Sequence, residues 1–132
     1  MLGFKVLIVD DEKNVCEFLV EFLKFKGFEA DVANTGEEAI KKIREEKYDL
    51  VLLDLVMPGI NGIDVLKFLN DNKINIPVIM VSGVRDEKVI KNTIELGAKD
   101  YIPKPIDLEK LENSIFFHVR KNQFGSGNRC QQ

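Results

Sequence analysis

The chain has 132 residues, 45% hydrophobic and 31% charged, with a formal net charge of -3. That length gives one domain with a core of its own and excludes two. The composition is too apolar for a disordered chain, and the mild acidity argues against a chain-wide nucleic-acid footprint.

Strand-like and helix-like segments alternate from the start. Val6 to Val9 is a continuous apolar run, as a strand buried on both faces requires. A helix follows with Val15, Phe18, Leu19, Phe22 and Leu23 at helical spacing, and Gly27 ends it. Phe28 to Ala33 reads as a second strand. Thr35-Gly36-Glu37-Glu38 is a capping box, with Thr35 as N-cap and Glu38 reaching back. Its helix turns Ala39, Ile40 and Ile43 inward, and Leu50 to Leu53 is the third strand.

Met57-Pro58-Gly59-Ile60-Asn61-Gly62 is a loop, since proline blocks strand pairing and each glycine permits unusual dihedrals. A helix from about Ile63 to Leu69 comes next, and Pro77 opens a fourth strand over Val78 to Val81. A helix carrying Val89, Ile90, Thr93 and Ile94 stops at Gly97. Tyr101 and Ile102 form a short fifth strand. Asp107 caps a last helix with Leu108, Leu111, Ile115 and Val119 on one face. Five βα units in series predict an α/β fold with a parallel sheet covered by helices on both sides and joined by right-handed crossovers. The domain is expected over residues 1–121. The polar, glycine-containing stretch 122–132 reads as a flexible tail or the start of a linker.

The two cysteines, Cys16 and Cys130, imply no disulfide framework and suit a reducing cytosol. The start, Met1-Leu2-Gly3-Phe4-Lys5, has no signal-peptide anatomy. No apolar run approaches the ~20 residues that span a bilayer. A cytoplasmic location without membrane contact is expected.

The chemistry concentrates at strand ends. Asp10 and Asp11 follow the first strand, Asp54 follows the third, and Lys104 closes the fifth. In a parallel sheet all four side chains meet at the carboxyl edge, where open α/β sheets place ligands. An Asp pair after a strand is ordinarily a helix cap, and a strand-end Asp often simply faces water. Yet carboxylates ~4 Å apart repel by about 4 kcal/mol at an effective dielectric near 20. Such a cluster needs raised pKa values or a cation, and hard oxygen ligands suit Mg²⁺, with Mn²⁺ in its place. Beside a divalent cation, Asp54 becomes a nucleophile toward phosphorus, since carboxylates form acyl phosphates.

Lys104 stands between Pro103 and Pro105. A lone lysine is ordinarily a solvated charge. A cis Lys104–Pro105 bond would aim this amine over the sheet edge, toward a phosphate. Ser82, ending the fourth strand before Gly83, is either a turn serine or a hydroxyl donor to a phosphate oxygen. Tyr101 reads from position as a core aromatic whose hydroxyl reaches water.

Together these residues resemble the receiver domain of bacterial response regulators in two-component systems. The motifs are Val9-Asp10-Asp11-Glu12, Asp54-Leu55-Val56-Met57-Pro58-Gly59 with Gly62, Val81-Ser82-Gly83 and Gly97 through Pro105, within a match from Lys5 to about Arg120. The resemblance implies a doubly wound five-stranded sheet in the flavodoxin-like order 2-1-3-4-5. It implies that Asp54 accepts a phosphoryl group from a histidine of a sensor kinase or phosphotransfer protein. It makes Asp11, Asp54 and the backbone carbonyl of Val56 direct Mg²⁺ ligands, with Asp10 acting mainly through water. Lys104 and Ser82 would bind phosphoryl oxygens. Tyr101 would turn inward when Ser82 moves, reshaping the surface of the fourth helix, fifth strand and fifth helix for an output domain or effector. The chain would be no enzyme beyond Mg²⁺-dependent self-phosphotransfer and slow autodephosphorylation. Gly83 replaces a more usual alanine, and Val56 replaces an often polar residue and could alter water's access to a phosphoaspartate.

Competing readings meet specific obstacles. A haloacid-dehalogenase-type phosphatase needs a second acid where Val56 stands. A flavin mononucleotide binder needs a phosphate-cradling loop where Asp10-Asp11 would repel it. His118, the only histidine, lies on the last helix, so triad chemistry fails. The alternative that remains is a receiver-like interaction module independent of phosphorylation. Phe116, Phe117 and Val119 make the last helix apolar on more than one side. That serves core packing or a phosphorylation-dependent homodimer.

Overall fold

The computed structural model describes the backbone of residues 3–131 and the side chains of residues 3–120. The elements alternate as β1 (Lys5–Val9), α1 (Lys13–Phe25), β2 (Glu29–Ala33), α2 (Gly36–Glu45), β3 (Leu50–Leu53), α3 (Gly62–Asp71), β4 (Val78–Ser82), α4 (Glu87–Glu95), β5 (Asp100–Pro103) and α5 (Leu108–Gln131). All strand pairs are parallel, and the sheet order is β2-β1-β3-β4-β5. This is the doubly wound order expected from the sequence.

The apolar runs of β1, β3 and β4 are continuous because both faces of these strands are covered. Side chains alternate across a strand, so Leu7, Val9, Val51, Leu53 and Met80 join one core with Ala39 and Ile43 of α2 and Val65, Leu66 and Leu69 of α3. Val6, Ile8, Leu50, Leu52, Ile79 and Val81 join the opposite core with Cys16, Leu19 and Leu23 of α1 and Leu111, Ile115 and Val119 of α5. The edge strand β2 is only partly buried.

Three local details depart from the sequence reading. Thr35 caps α2 by accepting from Glu38 N at 3.0 Å, but the Glu38 carboxylate accepts from Asn34 N at 2.7 Å, one residue before the cap. Gly59 uses a left-handed backbone, φ 75°, whereas Gly62 does not. Gly62 is needed for room: a Cβ there would lie 2.4 Å from the Asp54 carbonyl oxygen and 2.9 Å from Leu55 Cα. Finally, α5 does not end near Lys121, since its backbone is helical through Gln131. Residues 122–131 contain no proline, so every backbone N–H of the helical ladder is available.

Among the described residues, no helix is long and apolar enough to cross a membrane.

Candidate functional site

Parallel pairing carries the strand ends to one edge and the loop hydrogen bonds hold them there. Asp10 N donates to Ala33 O at 3.1 Å, and Asp54 N donates to Val9 O at 2.9 Å, so both acids stand one step beyond the β1 ladder. Lys104 N donates to Ser82 O at 2.9 Å, tying the end of β5 to β4. The Lys104–Pro105 peptide is cis, as the sequence suggested.

The Lys104 ammonium meets three carboxylates: Asp10 Oδ2 at 2.9 Å, Asp54 Oδ2 at 3.3 Å and Glu12 Oε1 at 3.3 Å. Asp10 and Asp54 are 3% and 5% exposed, so they have little water to solvate them. Their remaining oxygens are partly engaged. Asp10 Oδ1 accepts from Glu12 N at 2.9 Å, and Asp54 Oδ1 accepts from Val56 N at 3.4 Å. Burial pushes the Asp10 carboxyl above its ordinary range, against the hydrogen bond from Lys104. Burial pulls the Lys104 ammonium down, but its hydrogen bond to Asp10 and the charges of Asp54 and Asp10 outweigh that and hold it above its usual value.

One oxygen from each of Asp10, Glu12 and Asp54 lies within 4.8 Å of the others. Three carboxylates against one ammonium leave two formal negative charges in excess. A compact set of hard oxygens with that excess fits a hard divalent cation such as Mg²⁺. Asp11 is exposed and outside this group. The sequence reading gave Asp11 to the metal through the resemblance; here Asp11 lies in the bend before α1, and the carboxylate that reaches Lys104 from this loop, besides that of Asp10, is Glu12. Val56, whose carbonyl was assigned to the metal, has an exposed side chain and follows Asp54 in the loop.

Ser82 is fully buried, and its Oγ accepts from Val84 N at 3.3 Å. Tyr101 is half-buried. Its hydroxyl donates to Val84 O at 2.5 Å rather than to water. Burial raises the Tyr101 phenol, while the hydrogen bond with Ser82 works the other way, so the two switch candidates share one environment. His118 lies on α5, its Nδ1 2.9 Å from Ser114 O, and Ser114 Oγ donates to Asp100 Oδ2 at 2.6 Å.

Sequence reasoning missed four contributors. Glu12 was noted only as part of a motif, although a glutamate just before a helix, where Ser, Thr, Asp or Asn is preferred, is itself a signal. Asn34 Nδ2 and Cys16 Sγ both donate to Asp10 O, at 3.0 and 3.3 Å, and so orient the first acidic loop. Burial raises the Cys16 thiol to about 11. Arg85 Nη2 donates to Lys104 O at 2.9 Å. The Asn34 and Arg85 contacts join loops distant in sequence and leave no local pattern.

A family model of the response regulator receiver domain matches residues 6–116. The chain is 37% identical over 112 residues to the transcriptional regulatory protein CrdR of Helicobacter pylori, covering 84% of this chain and 53% of that protein. It is 35% identical over 119 residues to the DNA-binding response regulator MtrA of Mycolicibacterium smegmatis, covering 90% and 52% respectively. The chain thus spans about half the length of the curated relatives it matches. Among solved structures, the response regulator protein TrrA of Thermotoga maritima in complex with Mg(2+)-BeF is similar with a TM-score of 0.79 and 33% identity, covering 87% of this chain and 98% of that one. With a buried acidic edge at the carboxyl end of a five-stranded parallel sheet, and a family match over most of its length, the chain belongs to the response regulator receiver domains of two-component systems, whose general function is a phosphorylation switch.

Proposed function

We propose that Asp54 is the phosphoacceptor and that the donor is a phosphohistidine on a sensor kinase or phosphotransfer protein. The observation that carries this reading is the buried Asp54 carboxylate held 3.3 Å from the Lys104 ammonium inside a three-carboxylate group. Mg²⁺, with Mn²⁺ as a substitute, would supply charge neutralisation at the attacking and transferred oxygens. Asp10 and Asp54, the two buried acids, offer it oxygens here, and resemblance adds Asp11 and the Val56 carbonyl; the exposed Glu12 carboxylate stands beside them as a contact of Lys104.

The chain's own residues do the rest. Asp54 attacks phosphorus with a carboxylate oxygen, and the bond from phosphorus to the histidine nitrogen breaks; the donor ring, protonated on its other nitrogen, leaves as neutral imidazole and Asp54 becomes an acyl phosphate. Lys104 donates to a phosphoryl oxygen as a point charge. Ser82, buried with its hydroxyl accepting from Val84 N, supplies a second donor once that loop moves. The Tyr101 hydroxyl on Val84 O links that movement to the α4-β5-α5 surface. An output domain or separate effector reads the surface, a reading supported by relatives about twice as long, one named as a transcriptional regulatory protein and another as a DNA-binding response regulator. Beyond self-phosphotransfer and slow loss of the phosphoryl group, no further catalysis is proposed.

The test is intact mass after incubation with Mg²⁺ and a small-molecule acyl phosphate. One phosphoryl group is expected on the parent, and none on Asp54→Asn or without Mg²⁺. A folded parent that stays unmodified would favour an interaction module independent of phosphate.

A further inference from the structure

Lys104 in the resting domain has no donor to spare. An ammonium has three N–H groups, and three carboxylates stand within reach of them. The N–H now on Asp54 passes to a phosphoryl group that arrives there, and any second N–H for that group has to be released by Asp10 or Glu12. Asp10 is poorly suited, since its side chain is 4% exposed and its release would strand a buried charge. Asp54 is the acceptor itself. Glu12 differs from both: its side chain is 63% exposed, so water re-solvates it at once.

The position of Glu12 in the chain agrees. It occupies the N-cap of α1, where Ser, Thr, Asp and Asn are preferred, and its side chain makes no cap hydrogen bond. The carboxylate reaches instead across to Lys104, 92 residues away in sequence.

We propose that Glu12 is the exchangeable counter-ion of Lys104, holding in the resting domain the N–H donor that the phosphoryl group takes over, and turning into water when it does. This rests on the phosphoacceptor reading of Asp54. Glu12 is thus a positioning residue that acts through Lys104. It restrains phosphorylation by keeping the amine engaged.

The experiment compares Glu12→Gln and Glu12→Asp with the parent at saturating Mg²⁺, by initial rate of modification with a small-molecule acyl phosphate. Glu12→Gln removes the charge. Glu12→Asp keeps the charge but is one methylene too short to hold the amine. Both variants are expected to be phosphorylated faster, by roughly two- to fivefold, the scale of an exposed ion pair. A faster Gln variant with an unchanged Asp variant would mean general repulsion of the donor and overturn the proposal. Two unchanged or slower variants would overturn it as well. A parent that takes no phosphoryl group at all would instead bring down the Asp54 reading, an outcome distinct from equal rates among phosphorylated proteins.

Discussion

At the scale of single residues, Lys104 is the counter-ion on which two buried acids depend. Removing one partner of a buried ion pair leaves an uncompensated charge. Lys104→Met is therefore expected to lower stability at neutral pH by about 3 kcal/mol. Mg²⁺ should restore part of it, by replacing the missing positive charge. Asp54→Asn should be at least as stable as the parent, because it removes charge from an overloaded cluster. Urea unfolding with and without Mg²⁺ checks both, and a Lys104→Met midpoint equal to the parent's would refute the counter-ion role. The Asp10, Asp54 and Lys104 positions could be read from sequence because each follows an apolar strand in a parallel order. The contact of Glu12 with Lys104 could not. Which neighbour faces the lysine depends on how the chain turns after β1, and alternation no longer holds once the strand has ended.

A second residue-scale prediction concerns the opposite, amino-terminal edge of the sheet. Tyr48, buried at 6% exposure, donates its hydroxyl to Asp31 Oδ2 at 2.7 Å, and the Lys5 ammonium lies 3.4 Å from the same oxygen. The Tyr48 bond, before the Lys5 charge, holds the Asp31 carboxyl below its ordinary value. A depressed carboxyl stabilises the fold above its unfolded value, 3.8, and that stabilisation is lost as pH falls through the lower folded value. Tyr48→Phe is expected to cost about 1 to 2 kcal/mol near neutrality. The gap should narrow as acid protonates Asp31. Parallel denaturation curves down to acid pH measure it, and a gap that stayed constant would show the bond does not act through the Asp31 charge.

At the scale of elements, two glycines that look alike in sequence are opposites in space. Gly62 starts α3 with its Cα against the Asp54 backbone, where a Cβ would meet the carbonyl oxygen at 2.4 Å. Backbone cannot yield as a flexible side chain does, so Gly62→Ala must push α3 or the Asp54 loop aside. A loss of about 1 to 3 kcal/mol is expected, with slower phosphorylation because the acceptor loop moves. Gly83 has nothing within 4 Å of its Cβ position and no left-handed φ. Gly83→Ala should fold normally and gain about 0.4 to 1 kcal/mol by restricting the unfolded chain. Thermal melts of the two variants separate them, and a destabilised Gly83→Ala would show that the β4–α4 loop needs glycine for a reason the geometry does not contain. Sequence signals served the elements well wherever apolar periodicity ran against a partner, as in α1 and β1. They served poorly for the end of α5, where 122–131 carry no such pattern and the backbone is helical regardless.

At the scale of the molecule, the same strands build both cores. Leu7 and Leu52 sit on neighbouring strands, each fully buried, but Leu7 faces α2 and α3 while Leu52 faces α1 and α5. Neither layer is expected to unfold alone, because losing either set of helices exposes one face of every central strand. Leu7→Ala and Leu52→Ala should each cost about 2 to 5 kcal/mol. More tellingly, each should shift helical circular dichroism and tyrosine fluorescence by the same amount. The fluorescence reports on Tyr48 and Tyr101, which both pack on the Leu7 side. If Leu52→Ala moved the helical signal while the tyrosine transition stayed in place, the two layers would be separate cooperative units. Coincident transitions would mean that the two helical layers unfold as one unit, because each central strand carries side chains of both cores.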